Sequence, residues 1–235
     1  MKNKVFIITF CLLLGLTTRL VYCIKYSIQP RDAYKYELMV QEWIKTGTPA
    51  QLPFFPLSLW IFKSASLFLN IEILTAGIIV NMIAGLLIIY TAINISLYLF
   101  KSYMIALFVG ASFATHPSLI YYSCTVLREN TYLLFIILFF SSITKYFKEI
   151  SVLHLLLASL YVSLAFLCRL ESIEIVFIFS LYYALYWICR FTKHSIKKIT
   201  LHYLLFIFVF SSNVFFVYQS LGFRIAKNLL LSKFK

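Results

Sequence analysis

Acidic side chains are scarce in this sequence. Its 235 residues contain 8 Asp and Glu against 21 Lys and Arg, and a single one of the eight, Asp32, is an aspartate. Charged residues make up 12% of the chain, whereas a soluble domain carries about 25%. The five cysteines have no paired spacing and the four histidines form no ligand pattern. We therefore expect neither a disulfide framework nor a structural metal site.

Apolar residues dominate instead, at 62% of the chain, in runs close to the roughly 20 residues that cross a bilayer. The sequence predicts an all-α, polytopic membrane protein with a single transmembrane domain over residues 1–235. Residues 1–23 resemble a signal sequence without a small-x-small cleavage site, which indicates an uncleaved anchor helix. About seven membrane helices are predicted, at about 4–23, 73–99, 103–122, 131–147, 153–168, 173–189 and 201–221.

The net charge of +13 does not indicate a nucleic-acid partner. Lys and Arg lie between the hydrophobic segments and do not cluster on one polar face, a distribution typical of side chains that meet lipid headgroups. The expected partner of these cations is the lipid bilayer.

The longest polar stretch, residues 24–52, follows the first helix and contains PRDAYKYELMVQEW at 30–43. Its apolar residues Ala33, Tyr36, Met39, Val40, Trp43 and Ile44 recur at helical spacing. We predict a surface helix over 32–46 that Asp32 caps and Gly47 ends, lying flat on the membrane within an external loop, 24–72.

The segment LPFFPLSLWIFKSASLFLN at 52–70 is apolar but carries two prolines and Lys63, so it either crosses the membrane or enters the interface and returns. If it does not cross, seven loop cations face the cytoplasm: Lys101, Lys145, Lys148, Arg190, Lys193, Lys197 and Lys198. If it crosses, the four tail cations do: Arg224, Lys227, Lys233 and Lys235. The positive-inside tendency favours the first arrangement. Four cations in loop 24–52, against two at the N-terminus, oppose it.

Ionisable residues at bilayer depth are costly, so three polar places are candidate sites. They are Arg31-Asp32 with Tyr34 and Tyr36, the stretch HPSLIYYSCTVLREN at 116–130, and CRLESIE at 168–174. Each of the three candidate sites also has a purely structural interpretation. Asp32 can be a helix cap, Glu129 can simply open a helix, and Arg169 can pair with Glu171. His116 before Pro117 is expected to mark a helix end.

In their order and spacing these motifs resemble the N-terminal half of the GT-C class of membrane glycosyltransferases, in the branch of protein O-mannosyltransferases and aminoarabinose transferases. That branch shows an Asp-x-x-x-Tyr loop, here Asp32 and Tyr36, followed by Gly47 and a Pro-aromatic-Pro-Leu segment, here PFFPLSLW. It then shows Pro-x-x-x-Tyr-Tyr-Ser ending in an acidic residue, here Glu129, and a short Arg-x-Glu break, here CRLES. The likeness covers most of residues 5–190.

The resemblance implies transfer of a sugar from a polyprenyl-phosphate-linked donor to a lipid, glycan or protein acceptor at the external membrane face. Asp32 is then the general base and Glu129 a second catalytic residue that orients the acceptor or an arginine. Arginines would stabilise the leaving phosphate and tyrosines would contact the sugar. The implied substrate-binding residues are Arg31, Tyr34, Tyr36, Tyr121, Tyr122, Arg128, Arg169 and Glu171.

This sequence departs from the family pattern in two ways. The family's usual acidic pair in the first loop is here Asp32 followed by Ala33, and family members are longer. The chain is expected to be a minimal member, one part of an enzyme completed by a second membrane subunit, or a truncated, inactive relative. The alternative function is a non-catalytic subunit or carrier for lipid-linked glycans. No cofactor or divalent metal is favoured, and a bacterial inner membrane is favoured over the endoplasmic reticulum.

Overall fold

The computed structural model describes residues 2–26, 29–47, 56–188, 200–215 and 219, and within them every regular element is an α-helix. These helices are α1 (Lys2–Lys25), α2 (Arg31–Thr46), α3 (Pro56–Leu69), α4 (Ile73–Phe100), α5 (Tyr103–Thr115), α6 (Pro117–Ser123), α7 (Glu129–Glu149), α8 (Val152–Cys168), α9 (Ser172–Ile188) and α10 (Thr200–Phe215). The predicted all-α class is confirmed for this part of the chain.

The breaks between helices fall at the polar and proline positions of the sequence. His116-Pro117 divides the predicted helix 103–122 into α5 and α6, which meet at an angle of 56°. Pro117 lacks an N–H and fits the first position of a helix, so α6 begins there. The apolar run from 153 to 189 is interrupted between Cys168 and Ser172, as CRLES predicted.

Helices α1, α4 and α5 pack closely through small residues. A Cβ built on Gly110 of α5 would lie 2.8 Å from Cys11 Sγ of α1 and 2.8 Å from Ile93 Cγ1 of α4. A Cβ on Gly15, one turn further along α1, would collide with Ile89, one turn earlier in α4. Small residues let helix backbones approach in a membrane. The register shows that α1 and α4 run in opposite directions.

The chain between α1 and α4 therefore leaves and re-enters the bundle at one end, which we call the α2 end. The segment between α1 and α4, α3 included, therefore makes no net crossing of the bundle. The return of 52–70 at the membrane interface stays a prediction. Residues 48–55 lie outside the described residues. They include Pro53, the first proline of the segment 52–70, and Pro49, which precedes that segment.

One face of α2 packs on protein. Val40 is fully buried, Trp43 is 6% exposed, and both belong to a cluster with Leu59 of α3 and Ile73 of α4. The Lys63 ammonium lies 4.8 Å from the centre of the Trp43 ring, a distance at which a cation and a π-system attract. Residues 31–46 thus form a helix, and packing against α3 and α4 holds it at this end. Its predicted position on the membrane surface stays a prediction.

One detail of the α2 prediction, its cap, is wrong. Met39 and Ile44, predicted on its apolar face, are exposed, as side chains that lie against lipid would be. Asp32 does not cap the helix: Pro30, with φ −66° and ψ 154°, is the cap residue and makes no side-chain cap hydrogen bond. Because proline is already fixed near the φ of a helix start, α2 begins at Arg31 and Asp32 falls in its first turn.

The second half of the bundle is held by an aromatic core. Phe139 and Tyr146 of α7, Phe179 of α9 and Phe206 of α10 are buried together. The Tyr146 hydroxyl lies 3.1 Å from His202 Nδ1 of α10, so the core contains a polar link as well. Helix α7 starts at the α2 end and finishes at the opposite end, and its successors alternate in direction.

Three described helices are long and apolar enough to cross a bilayer: α1, α4 and α7. The bent pair of α5 and α6 would make a fourth span if it is counted as one. The shorter apolar helices are Leu57–Leu69, Val152–Cys168, Ser172–Tyr183 and Thr200–Phe215. The chain is therefore helical and membrane-compatible over most of its described length.

Candidate functional site

Three segments that are far apart in sequence meet at the α2 end of the bundle. They are the first turns of α2, the loop 124–128 with the start of α7, and the break between α8 and α9. The sequence placed a candidate polar motif in each of them. Ionic contacts and charge interactions join the three, as follows.

Asn81 of α4 fixes the loop 124–128. Its side-chain N–H groups donate to the carbonyls of Thr125 and Leu127, each over 2.7 Å. Its own backbone carbonyl accepts from Asn130 Nδ2 of α7 at 2.8 Å. Asn81 is fully buried, where each satisfied carbonyl avoids a desolvation cost of about 1–3 kcal/mol. The loop that presents Arg128 and Glu129 is thus tied to α4 on both sides.

Gln29 connects the start of α2 to the same loop. Its Nε2 donates to the Cys124 carbonyl over 3.1 Å, and its Oε1 accepts from the Val126 N–H over 3.0 Å. Ala33 of α2 is buried with Val126 and with Phe62 of α3. Because a polar and an apolar contact both reach loop 124–128, the start of α2 is fixed against the loop that leads to Arg128.

Arg169 links the α8–α9 break to α7. Its guanidinium lies 3.5 Å from Glu129 Oε1 and 2.7 Å from Glu171 Oε1, so the pairing with Glu171 allowed by the sequence is confirmed. It also lies 5.5 Å from the centre of the Tyr132 ring. Glu129 begins α7, as predicted, and its second oxygen, Oε2, is buried with no hydrogen-bond partner among the described residues.

Asp32 is the exposed carboxylate of the group. It pairs with Lys35 over 2.9 Å, and its side chain is 60% exposed. The hydrogen bond from Lys35 lowers the pKa of Asp32, and the charges of Lys35, Arg128 and Arg31 lower it further. Asp32 is therefore held in its ionised form, in a position that solvent can reach.

Tyr36 lies at the point where the three segments meet. Burial raises the pKa of its phenol, and four charges from all three segments act on the same group. Arg128 and Arg169 lower the pKa, whereas Glu129 and Asp32 raise it. These four side chains lie within electrostatic range of the Tyr36 hydroxyl, and Glu171 pairs with Arg169. We call the group the α2-end cluster: Asp32, Tyr36, Arg128, Glu129, Arg169 and Glu171.

A pH dependence follows from Glu171. The hydrogen bond from Arg169 lowers the pKa of Glu171 to about 2. A carboxyl whose folded pKa is depressed stabilises the fold above its unfolded pKa of about 4.3, and this contribution disappears as the pH falls toward 2. The carboxylate is 48% exposed, so screening limits the contribution to less than about 1 kcal/mol.

We expect Glu171→Gln to lower thermal stability in detergent slightly at pH 7, by an amount that shrinks as the pH falls from about 4 toward the Glu171 pKa of about 2. Unfolding curves of the two proteins from pH 7 down to pH 3 measure this difference. A stability difference that grows as the pH falls would contradict the ion pair.

The remaining predicted site residues have fewer described contacts. Arg31 and Tyr34 are exposed in the first turn of α2, and the charge of Arg31 reaches Asp32. Tyr121 and Tyr122 are half-buried on α6, with ring centres 5.6 Å apart. Their roles in substrate binding stay predictions.

The sequence analysis missed the residues that position the cluster, namely Gln29, Asn81 and Asn130. Asn81 offered a signal, because an amide inside the apolar run AGIIVNMIAGLL has to find a partner within the bundle. Gln29 and Asn130 sit next to motif residues in polar stretches and carry no comparable signal.

Two cavities lie away from the α2-end cluster. One, of about 530 Å³, runs between α7 and α9 and is lined mostly by Phe, Ile and Tyr side chains. The other, of about 520 Å³, lies between α8 and α10. Among the described residues, no three His, Cys, Asp or Glu side chains come together in a way that could hold a metal ion.

Comparison of the chain with protein-family models, with curated proteins and with solved structures returns no match. The function is therefore inferred from the α2-end cluster and from the motif resemblance.

Proposed function

We propose that this chain is a membrane glycosyltransferase that moves a sugar from a polyprenyl-phosphate donor to a lipid, glycan or protein acceptor at the external membrane face. The observation that carries the proposal is the meeting of the three polar motifs at the α2 end. Arg169 of the α8–α9 break pairs with Glu129 of α7 over 3.5 Å, and Gln29, just before α2, bonds to the loop that leads to Arg128. Arginines and carboxylates thus gather at one end of an apolar bundle.

The residues divide the chemistry between them. An acceptor hydroxyl attacks the anomeric carbon and transfers its proton to Asp32, while the bond from that carbon to the phosphate oxygen breaks. The polyprenyl phosphate leaves with the bonding electrons, and Arg128 and Arg169 balance its charge. Glu129 contacts Arg169, so its role is to hold that guanidinium in position.

Other cluster residues contact the substrate. Tyr36 offers a ring and a hydroxyl to the sugar at the centre of the cluster. The proposal keeps Arg31, Tyr34, Tyr121 and Tyr122 as substrate-binding residues and Glu171 as the second carboxylate that orients Arg169. Each of the arginines presents a planar fork that matches phosphate oxygens.

The proposed topology has seven crossings: α1, α4, α5 with α6, α7, α8, α9 and α10. Helix α2 and the cluster then face the outside of a bacterial inner membrane. Lys101, Lys145 and Lys148 lie at the opposite end of the bundle, where the positive-inside tendency places cations in the cytoplasm.

Single-cysteine labelling in a cysteine-free version tests this topology. Lys35→Cys and Leu170→Cys place thiols at exposed positions of the α2 end, and Lys101→Cys and Val152→Cys place them at the opposite end. We expect a membrane-impermeant maleimide to label positions 35 and 170 in intact cells, and 101 and 152 only after permeabilisation. Labelling of 35 and 170 from different sides would rule out one shared site and favour an accessory subunit.

A further inference from the structure

Arg19 of α1 carries a charge inside the bundle. It is fully buried, and no Asp or Glu carboxylate of the described residues forms an ion pair with it. Its guanidinium instead binds neutral acceptors: Gly15 O at 2.9 Å, Ala114 O at 3.2 Å and Ser123 Oγ at 2.9 Å. Burial of a charge without an ion-pair partner is costly, so a residue of this kind is a candidate for a structural or functional role.

One set of contacts stabilises the end of α5 at the break between α5 and α6. The last carbonyls of a helix lack partners and form the negative end of its dipole. Ala114 O, in the last turn of α5, accepts from Arg19 Nη1 and from Thr18 Oγ1 at 3.0 Å. Pro117 can supply no N–H to this turn. A cation from α1 thus stabilises the carbonyl end that the break exposes.

The second set of contacts runs from Arg19 toward the α2-end cluster. Ser123 Oγ accepts from Arg19 Nε and from Asn130 Nδ2 at 2.7 Å, and it donates to Leu119 O. Asn130 directly follows Glu129, and its amide also binds the Asn81 carbonyl. On the other side, Cys124 Sγ donates to the Arg19 carbonyl over 3.2 Å.

The helix packing leaves room for this network. A Cβ on Gly85 of α4 would collide with Ser123 Oγ and would lie 2.9 Å from Arg19 Nε. A Cβ on Gly15 would lie 3.3 Å from Arg19 Nη1. Two glycines, Gly15 and Gly85, therefore face the guanidinium. A side chain at either position would displace the guanidinium or a residue packed against it.

From these contacts we infer that Arg19 is a positioning residue: it ties the last turn of α5 to the last residue of α6 and thereby sets the loop that presents Arg128 and Glu129. Glu129 is reached in three steps, from Arg19 to Ser123, from Ser123 to Asn130, and from Asn130 to the adjacent carboxylate. The inference goes beyond the proposed function. It rests on that function only for the expected effect of Arg19 variants on sugar transfer.

Hydrogen exchange of the protein in lipid nanodiscs, followed by mass spectrometry, tests the inference. Arg19→Met keeps a long side chain but removes all three donated bonds. Because bonds to charged groups are among the strong ones, we expect exchange at amides 124–130 to become at least about tenfold faster. Exchange in α8 (Val152–Cys168) should not change, because the described hydrogen bonds of Arg19 go to α1, α5 and α6.

Matched variants separate positioning from general destabilisation. Thr17→Val removes a hydroxyl of α1 that bonds only to Leu13 O in the same helix, and it should leave exchange at 124–130 unchanged. Arg19→Lys keeps a cation near Ala114 O but cannot also bind Ser123, so it should give an intermediate rate. Ser123→Ala removes the hydroxyl that joins Arg19 to Asn130 and leaves the bonds of Arg19 to Gly15 O and Ala114 O in place. It takes the place of Arg19→Met if that variant does not fold.

Faster exchange in α8 to the same extent would show a general loss of stability and overturn the inference, as would unchanged exchange at 124–130. Absence of transfer by the unmodified protein would count against the proposed function and leave the exchange result standing. If transfer is observed, Arg19→Lys should recover part of the activity that Arg19→Met loses.

Discussion

Asp32→Asn is expected to lower sugar transfer by about 10²–10⁴-fold while leaving the fold intact, a range typical of the loss of a general base. The side chain is exposed and pairs only with Lys35 of its own helix, so its charge contributes little to stability. It does not cap α2, and an amide of the same size makes no new clash. A large loss of activity would therefore report on chemistry.

The measurement is release of polyprenyl phosphate from polyprenyl-phosphate mannose in proteoliposomes, which follows donor cleavage whatever the acceptor. Glu42→Gln is the matched control, because Glu42 is an exposed carboxylate on the same helix. It should retain nearly full activity. Full activity of Asp32→Asn would show that the carboxylate is not the base, and the cluster would then be a binding site at most.

The pH profile gives an independent check on Asp32. Its pKa is lowered from the ordinary value of 3.8, chiefly by the hydrogen bond from Lys35. A base is active in its ionised form, so transfer should fall only when the pH drops below about 4. Lys35→Met removes the main cause of the shift, and the acid limb should then move upward.

Much of the helix order could be predicted because so few polar residues interrupt the apolar runs. His116-Pro117 and the CRLES break each marked a real helix boundary, and Gly47, with φ of 75°, marked the end of α2. Membrane-length apolar runs and helix-breaking residues act locally, so their effects can be read from sequence. The failure at Asp32 is also local: a proline two positions earlier already fixed the helix start.

The assembly of the site could be predicted only in part. The three motifs stood out because charges are rare, but nothing in their spacing showed which side chains meet. The bonds of Asn81 to loop 124–128 and of Arg19 to Ser123 join positions 44 to 104 residues apart. Such contacts depend on helix register, which the packing of small residues such as Gly85 and Gly110 sets in three dimensions.

The ion pair between Arg169 and Glu129 is expected to affect stability and transfer differently. In Glu129, Oε2 is already buried without a hydrogen-bond partner among the described residues, and Oε1 faces the Arg169 guanidinium. Arg169→Met removes this partner of Oε1. An unsatisfied buried group of this kind costs about 1–3 kcal/mol. We expect the free energy of unfolding in mixed micelles to fall by that amount, and transfer to fall at least about tenfold, because a cation at the leaving phosphate is lost.

Glu129→Gln in the Arg169→Met background separates the two effects. A neutral amide needs no cation, so the double variant should recover most of the stability, with a coupling energy of about 0.5–3 kcal/mol between the two positions. Transfer should not recover, since the phosphate still lacks the Arg169 guanidinium. Glu174→Gln, at an exposed carboxylate in the first turn of α9 that has no part in the proposed site, is the control and should change both quantities little. Recovery of transfer together with stability in the double variant would show that Arg169 serves only to neutralise Glu129. The charge at the leaving group would then have to come from Arg128 or Arg31.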